Sequence, residues 1–183
     1  PYYSGQDKDW KVKSVEVMDF IMIGDIKYVV KIDLIIEDRD NFYPVDHKTT
    51  TKKFGFFNQF EPNTQCTGYT AYCQSKYGSC SGFILNGIFI GHRERKYKGE
   101  EPGFHYQFQR DIVNRNTEQI EDFEQNVIQW TNKLKQCEND KYWGKNENQC
   151  GRCGFRELCT NVDDENVRDT LYEKYNPLQY LDE

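Results

Sequence analysis

The sequence contains no apolar run approaching the ~20 residues that a membrane-spanning helix needs. Its opening residues, Pro1 to Gln6, lack the basic-then-apolar pattern of a secretory signal. A soluble, cytoplasmic chain is therefore expected. It also lacks a basic excess: 24 Lys and Arg against 30 Asp and Glu give a formal charge of −6. That argues against a histone-like DNA binder held by net charge, but not against an enzyme that meets nucleic acid through a local patch or bound metal ions. There is no internal repeat, no low-complexity tract and no evident linker. A purely paired disulfide framework is also excluded, because seven cysteines is an odd count. The chain is longer than the small scaffolds that depend on disulfides, so reduced thiols, some of them metal-binding, are the expectation.

What is present suits one domain. The chain has 183 residues, of which 28 are aromatic (Phe 12, Tyr 13, Trp 3), enough to build a core despite a polar average. Val15 to Ile23, Ile26 to Glu37 and Phe42 to Thr49 read as an antiparallel meander of strands, with Gly24-Asp25 and residues 38–41 as turns. Pro44 is expected near the start of its strand, where a missing N–H does least harm. Thr64 to Lys76 reads as a helix, Gly82 to Ile90 and Phe104 to Val113 as strands. Thr117 to Cys137 is the clearest helix, with Ile120, Phe123, Val127, Trp130 and Leu134 recurring every three or four residues. A last helix is expected near Val167 to Tyr175. The domain is divided into a core at 14–136 and a cysteine-rich segment with a polar tail at 137–183.

The chemistry concentrates in two phrases, KIDLII around Asp33 and PVDHKTT around Asp46-His47-Lys48. Side chains at i and i+2 of a strand share a face, so Asp46 and Lys48 point the same way and a hairpin can bring Asp33 beside them. Acids within such apolar strands are poorly placed for solvent, and a buried charge needs a compensating partner. Two convergent carboxylates favour a hard divalent cation, Mg²⁺ or Mn²⁺. The His47 carbonyl is a further candidate ligand. Such a cation activates water and polarises a phosphoryl oxygen, and a neighbouring lysine orients that water and offsets developing charge. The set suits metal-assisted phosphodiester hydrolysis; an ordinary cross-strand salt bridge among Asp33, Asp46 and Lys48 is the competing reading.

Asp33, followed after twelve residues by Asp46-His47-Lys48, resembles the PD-(D/E)xK nuclease signature, in particular its RecB-like branch. Gln65-Cys-Thr-Gly-Tyr69 is similar to that branch's Q-x-x-x-Y helix motif, and residues at i and i+4 share one helix face. The resemblance implies an α/β, restriction-endonuclease-like core, a mixed β-sheet flanked by helices, with Gln65 and Tyr69 flanking the metal site and placing the strand. It implies a Mg²⁺- or Mn²⁺-dependent deoxyribonuclease, an exonuclease acting on DNA ends in recombination, repair or phage DNA processing. Partner subunits of a recombination or repair complex, in a prokaryotic or phage-infected cell, belong to the same implication. Many RecB-like nucleases carry an upstream histidine ligand. Here the histidines are His47, His92 and His105, the last two read as surface residues. Glu16 is the candidate acidic replacement. The rivals are a non-catalytic nucleic-acid-binding domain of the same fold and a zinc-stabilised RNA endonuclease.

Cys150-x2-Cys153-x5-Cys159 forms the second signal, since thiolates at such spacing can converge on a soft metal. The triplet is similar to the C-terminal cysteines of AddB-type and CRISPR-associated nucleases, and the resemblance implies a structural [4Fe–4S] cluster, with Zn²⁺ as the alternative. Those families place the fourth cysteine upstream of the nuclease motifs, whereas no cysteine precedes Cys66 here. Either that ligand precedes the sequence, or Cys137, Cys66, Cys73 or Cys80 supplies it, Cys137 being nearest. For DNA itself, Lys52 and Lys53 and the basic run Arg93, Arg95, Lys96 and Lys98 are the candidate phosphate contacts. Phe54, Phe56 and Phe57 are candidates for stacking on unpaired bases.

Overall fold

The computed structural model describes residues 5, 7–96, 99, 101–161 and 165–171. Two compact units, Pro1–Asn132 and Lys133–Glu183, are described separately. The first holds one five-stranded sheet in the order β1-β2-β3-β4-β5, from Lys11–Ile23, Ile26–Asp38, Asn41–Thr50, Gly82–Arg93 and Gly103–Asn114. β1, β2 and β3 form the expected antiparallel meander. The chain then crosses through helix α1 (Thr64–Tyr77) so that β4 runs parallel to β3, and β5 returns antiparallel to β4. A crossover of this length is what a parallel pair requires. The result is a mixed sheet flanked by helices, a restriction-endonuclease-like α/β fold.

Alternation along the strands divides the core. On the face toward α1, Ile21, Ile23, Val30, Ile32 and Ile35 pack against Tyr72 and Cys73 of α1 and Ile120 and Phe123 of α2 (Thr117–Asp140). Further along the chain, Phe83, Leu85, Phe89 and Val113 pack with Phe56, Phe60 and Cys66. A smaller cluster of Ile36, Val45 and Ile84, joined by Trp10, Leu34 and Tyr43, occupies the opposite face. Each fully buried Ile, Leu, Val or Phe contributes roughly 1.5–3 kcal/mol, which makes the sheet the rigid platform of the unit.

Two glycines permit close approaches. A Cβ on Gly68 of α1 would lie 2.6 Å from the Tyr28 hydroxyl, and one on Gly87 would lie 3.0 Å from Phe57. Helix α1 begins at Asn63, whose Oδ1 accepts from the Gln65 N–H at 2.8 Å. Helix α2 begins at a reciprocal cap in which Asn116 Oδ1 accepts from Gln119 N and Gln119 Oε1 accepts from Asn116 N.

Two expectations change, and a third is met in part. Pro44 stands at the fourth of ten positions in β3, not at its start, and pairs with Ile35 of β2. It is tolerated because pairing with β4 begins only at Val45, so Pro44 still lies on an open edge on that side. The stripe of α2 is buried only in its first half. Ile120 and Phe123 are in the core, but Trp130 and Leu134 are 62% and 52% exposed. The expected last helix is found as α4, Glu165–Leu171, and the rest of that expectation lies outside the described residues. Among the described residues no helix is long and apolar enough to cross a membrane.

In the second unit a 3-10 turn at Glu147–Arg152 leads into α3, Arg156–Thr160. Cys150, Cys153 and Cys159 are exposed on these elements and Cys137 is half-buried.

Candidate active site

Asp46 projects from β3 onto the α1 face of the sheet, paired in register with Leu85 of β4. It is 6% exposed. Lys48, two residues on and half-buried, shares that face. Its ammonium donates to Asp46 Oδ1 at 3.1 Å and stands 2.9 Å from Oδ2. The ion pair gives Oδ2 charge compensation, but no donor of hydrogen-bonding geometry reaches this buried oxygen among the described residues. A buried carboxylate oxygen in that condition is the kind of hard donor that a divalent cation takes up.

Asp33 occupies an irregular point in the sheet. The β2–β3 ladder ends at Leu34–Val45, so Asp33 stands one register step beyond it, across from Asp46. On its other side the β1–β2 ladder pairs Val15 with Leu34 and Val17 with Ile32 and skips the two residues between, Glu16 and Asp33. Glu16 there takes the left-handed conformation, φ 50°. The alternation of β2 breaks at the same place: Ile32 packs on the α1 face and Leu34 on the opposite one. Asp33 is consequently exposed, contrary to the expectation of an acid held away from solvent, and so is Glu16. The cause is the double interruption, which frees Asp33 from both neighbouring ladders.

Gln65 and Tyr69 come together as their spacing suggests. Gln65 Nε2 donates to the Tyr69 hydroxyl at 3.2 Å, and that hydroxyl donates to the Lys31 carbonyl. Helix α1 is thereby tied to β2 two residues before Asp33. Cys66, next to Gln65, is fully buried near Asp46 and Lys48, and desolvation pushes its thiol up to about 11.

Sequence reasoning missed Arg115, the anchor of this arrangement. It is 8% exposed and satisfied almost entirely by carbonyls. It donates to Glu61 O (2.6 Å), Asn114 O (2.8 Å) and Thr67 Oγ1 (2.8 Å), with longer contacts to Phe60 O and Asn63 O. It thus fixes the entry to α1, and with it Gln65. Burial lowers its affinity for the proton. An arginine at a strand–helix junction gives no signal in the sequence beyond its position.

A cleft of about 340 Å³ opens from Lys48 past Thr50 and Lys52 to Phe54 and Phe60. Lys52 and Lys53 are exposed beside it. Phe54 is fully exposed, as a stacking residue would be. Phe56 is not: it is 8% exposed in the core, and the half-buried Phe57 packs edge-on against it. Gly87 makes room for both. In the basic run, Arg93, Arg95 and Lys96 are exposed, with Lys96 ion-paired to Glu101 at 2.7 Å; Lys98 lies outside the described residues. His92 is exposed against Phe104, and His105 is half-buried.

Among the described residues no group of three or more His, Cys, Asp or Glu side chains lies close enough to hold a metal ion. The cysteine triplet is not gathered into such a group either. Cys66, Cys73 and Cys80 are buried in the first unit. Cys73 and Cys80 are hydrogen-bonded to each other, which raises the Cys73 thiol and lowers that of Cys80. Of the four candidates for a fourth ligand, Cys137 alone is not buried.

The mixed sheet flanked by helices, with the Asp46–Lys48 pair on β3 and helix α1 tied to β2, is the architecture of a restriction-endonuclease-like core. The family model of the PD-(D/E)XK nuclease superfamily matches residues 3–160, and the chain belongs to that superfamily. A comparison with curated proteins found no match. Superfamily membership makes nucleic acid the substrate class and divalent metal ions, typically Mg²⁺, the usual cofactor.

Proposed function

We propose that this protein is a RecB-like nuclease that hydrolyses DNA phosphodiester bonds with Mg²⁺ or Mn²⁺, acting from DNA ends. The observation that carries the reading is the buried Asp46–Lys48 pair with Asp33 one register step across from it. Asp33, Asp46 and the His47 carbonyl would hold the cation, which when bound supplies Lewis-acid activation of water and of the phosphoryl oxygen. Lys48 orients the attacking water and offsets the charge that builds on the phosphate. Gln65 and Tyr69 hold the helix that borders the scissile strand. Lys52 and Lys53 bind the flanking phosphates, and Phe54 stacks on an unpaired base. Arg93, Arg95 and Lys96 extend the phosphate path, and Glu16 is an auxiliary acid beside Asp33. Exonuclease action in a recombination or repair complex is what the resemblance to the RecB-like branch implies.

The experiment is digestion of DNA labelled at one end or internally, with Mn²⁺ and with chelator. Release of label from ends first, and only with metal, is the expected result. Metal-independent binding without product contradicts it.

We further propose that Cys150, Cys153 and Cys159, with Cys137, bind a structural [4Fe–4S] cluster. The spacing and exposure of the triplet, and the placement of all four cysteines in the second unit, support this. Anaerobically purified protein is then brown, with a broad band near roughly 400 nm characteristic of thiolate-ligated iron. Colourless protein with stoichiometric zinc selects the alternative.

A further inference from the structure

On the sheet face opposite Asp46, a polar relay crosses from the segment before β1 to the catalytic strand. Asp7 binds Arg110 through two contacts, Nη1 to Oδ1 at 2.6 Å and Nη2 to Oδ2 at 3.2 Å. The guanidinium lies over the Trp10 ring, 4.3 Å from its centroid. Its Nε donates to Asn86 Oδ1 at 2.7 Å. Asn86, 1% exposed, is the register partner of His47 in the parallel β3–β4 pair, and its Nδ2 stands 3.4 Å from His47 Nδ1.

Chemistry fixes the direction of this relay. Arginine carries only donors, so the oxygen of Asn86 faces Arg110 and its NH₂ faces His47. His47 Nδ1 is then the acceptor, and the proton of the neutral ring sits on Nε2. His47 is exposed, so hydrophobic packing does not hold its ring. The backbone explains why a side-chain tie matters here. Pairing of β3 with β2 ends at Val45, and among the described residues Asp46 to Thr50 pair in the sheet with β4 alone. The half of β3 that carries Asp46 and Lys48 is thus an edge on its β2 side. His47 lies between the two functional residues, and a constraint on its ring limits the twist of both flanking peptides.

We propose that Asn86 is a positioning residue: through His47 it sets the orientation of Asp46 and Lys48, with Arg110, Asp7 and Trp10 as its support. The proposal rests on the nuclease reading for its functional consequence, but not for the existence of the relay. It assigns a role to a buried asparagine that no sequence motif marks. Outer-sphere partners of metal ligands cost roughly 10- to 100-fold in affinity or activity when removed, and the same scale applies here.

The test combines ring ¹⁵N NMR of the histidines at pH 8 with Mn²⁺ titration by calorimetry, on the wild type, Asn86→Leu, Asn86→Asp, His47→Phe and the double variant Asn86→Leu/His47→Phe. His47→Phe changes an exposed residue and keeps the measurement valid if Asn86→Leu fails to fold. The wild type should show His47 as the Nε2–H tautomer. Asn86→Asp, which offers only acceptors, should switch it to Nδ1–H and keep most of the Mn²⁺ affinity. Asn86→Leu and His47→Phe should each weaken Mn²⁺ binding about 10-fold or more, and the double variant should be no weaker than the worse single one. Mixed tautomers in the wild type overturn the relay. Unchanged Mn²⁺ affinity in His47→Phe overturns the positioning role while leaving the nuclease reading intact. A wild type with a fixed tautomer that neither binds Mn²⁺ nor cuts DNA overturns the nuclease reading, and the positioning role with it.

Discussion

Tyr69 donates its hydroxyl to the backbone carbonyl of Lys31, which ties helix α1 to β2 two residues before Asp33. Gln65 in turn donates to that hydroxyl, so the two motif residues of α1 act on the acidic strand as one unit. Tyr69→Phe removes a single hydrogen bond and should cost about 1 kcal/mol in urea unfolding. Its effect on cleavage should be larger, on the order of 10- to 100-fold, because small misplacements of reacting groups are costly. Equal fractional losses of stability and turnover would show that the tie serves the fold alone.

Asp33 and Asp46 should separate in stability while sharing their effect on activity. Asp33→Asn, at an exposed position outside both ladders, should leave unfolding within about 0.5 kcal/mol of wild type. Asp46→Asn removes the buried partner of Lys48 and should cost about 1–3 kcal/mol. Both should abolish metal-dependent cleavage. Thermal unfolding of the two variants beside single-turnover assays checks the pair of expectations.

Arg115 should matter for stability first. Arg115→Met keeps the aliphatic stem but strands the Glu61 and Asn114 carbonyls and the Thr67 hydroxyl. The loss of several buried charge-assisted bonds should cost roughly 3 kcal/mol or more. The entry to α1 should loosen, and amide exchange around Gln65 should report it.

The thiol of Cys66 predicts an alkaline loss of stability. Its ionisation is raised from 9.0 to about 11, first by desolvation. The folded state therefore holds this proton more tightly than the unfolded chain. The contribution is complete below pH 9 and is lost as pH rises through 11. It amounts to roughly 2–3 kcal/mol, at 1.36 kcal/mol for each unit of difference. Urea midpoints of wild type and Cys66→Ala across pH 8 to 11 should converge at the alkaline end.

Much of this was legible in the residues, for physical reasons. The alternation of Ile26 to Glu37 and the spacing of Asp46, Lys48, Gln65 and Tyr69 are short-range patterns. The pairings of Lys48 with Asp46 and of Gln65 with Tyr69 follow from strand and helix periods. The exposure of Asp33 was not legible, because it arises from ladders that stop on both sides of one residue. Arg115, and the Asn86 relay, depend on which strands become neighbours through the α1 crossover. Trp130 and Leu134 illustrate the converse: the apolar stripe of α2 continues in sequence, yet these two side chains are exposed.

The most direct test of the account is cleavage of end-labelled DNA in Mn²⁺ by the wild type and by Lys48→Ala. Lys48 is the only cation paired with Asp46 among the described residues, and its removal leaves both carboxylates in place. The account predicts metal-dependent release of labelled nucleotides by the wild type and none above background by Lys48→Ala at unchanged secondary structure. Equal cleavage by the two proteins would contradict it.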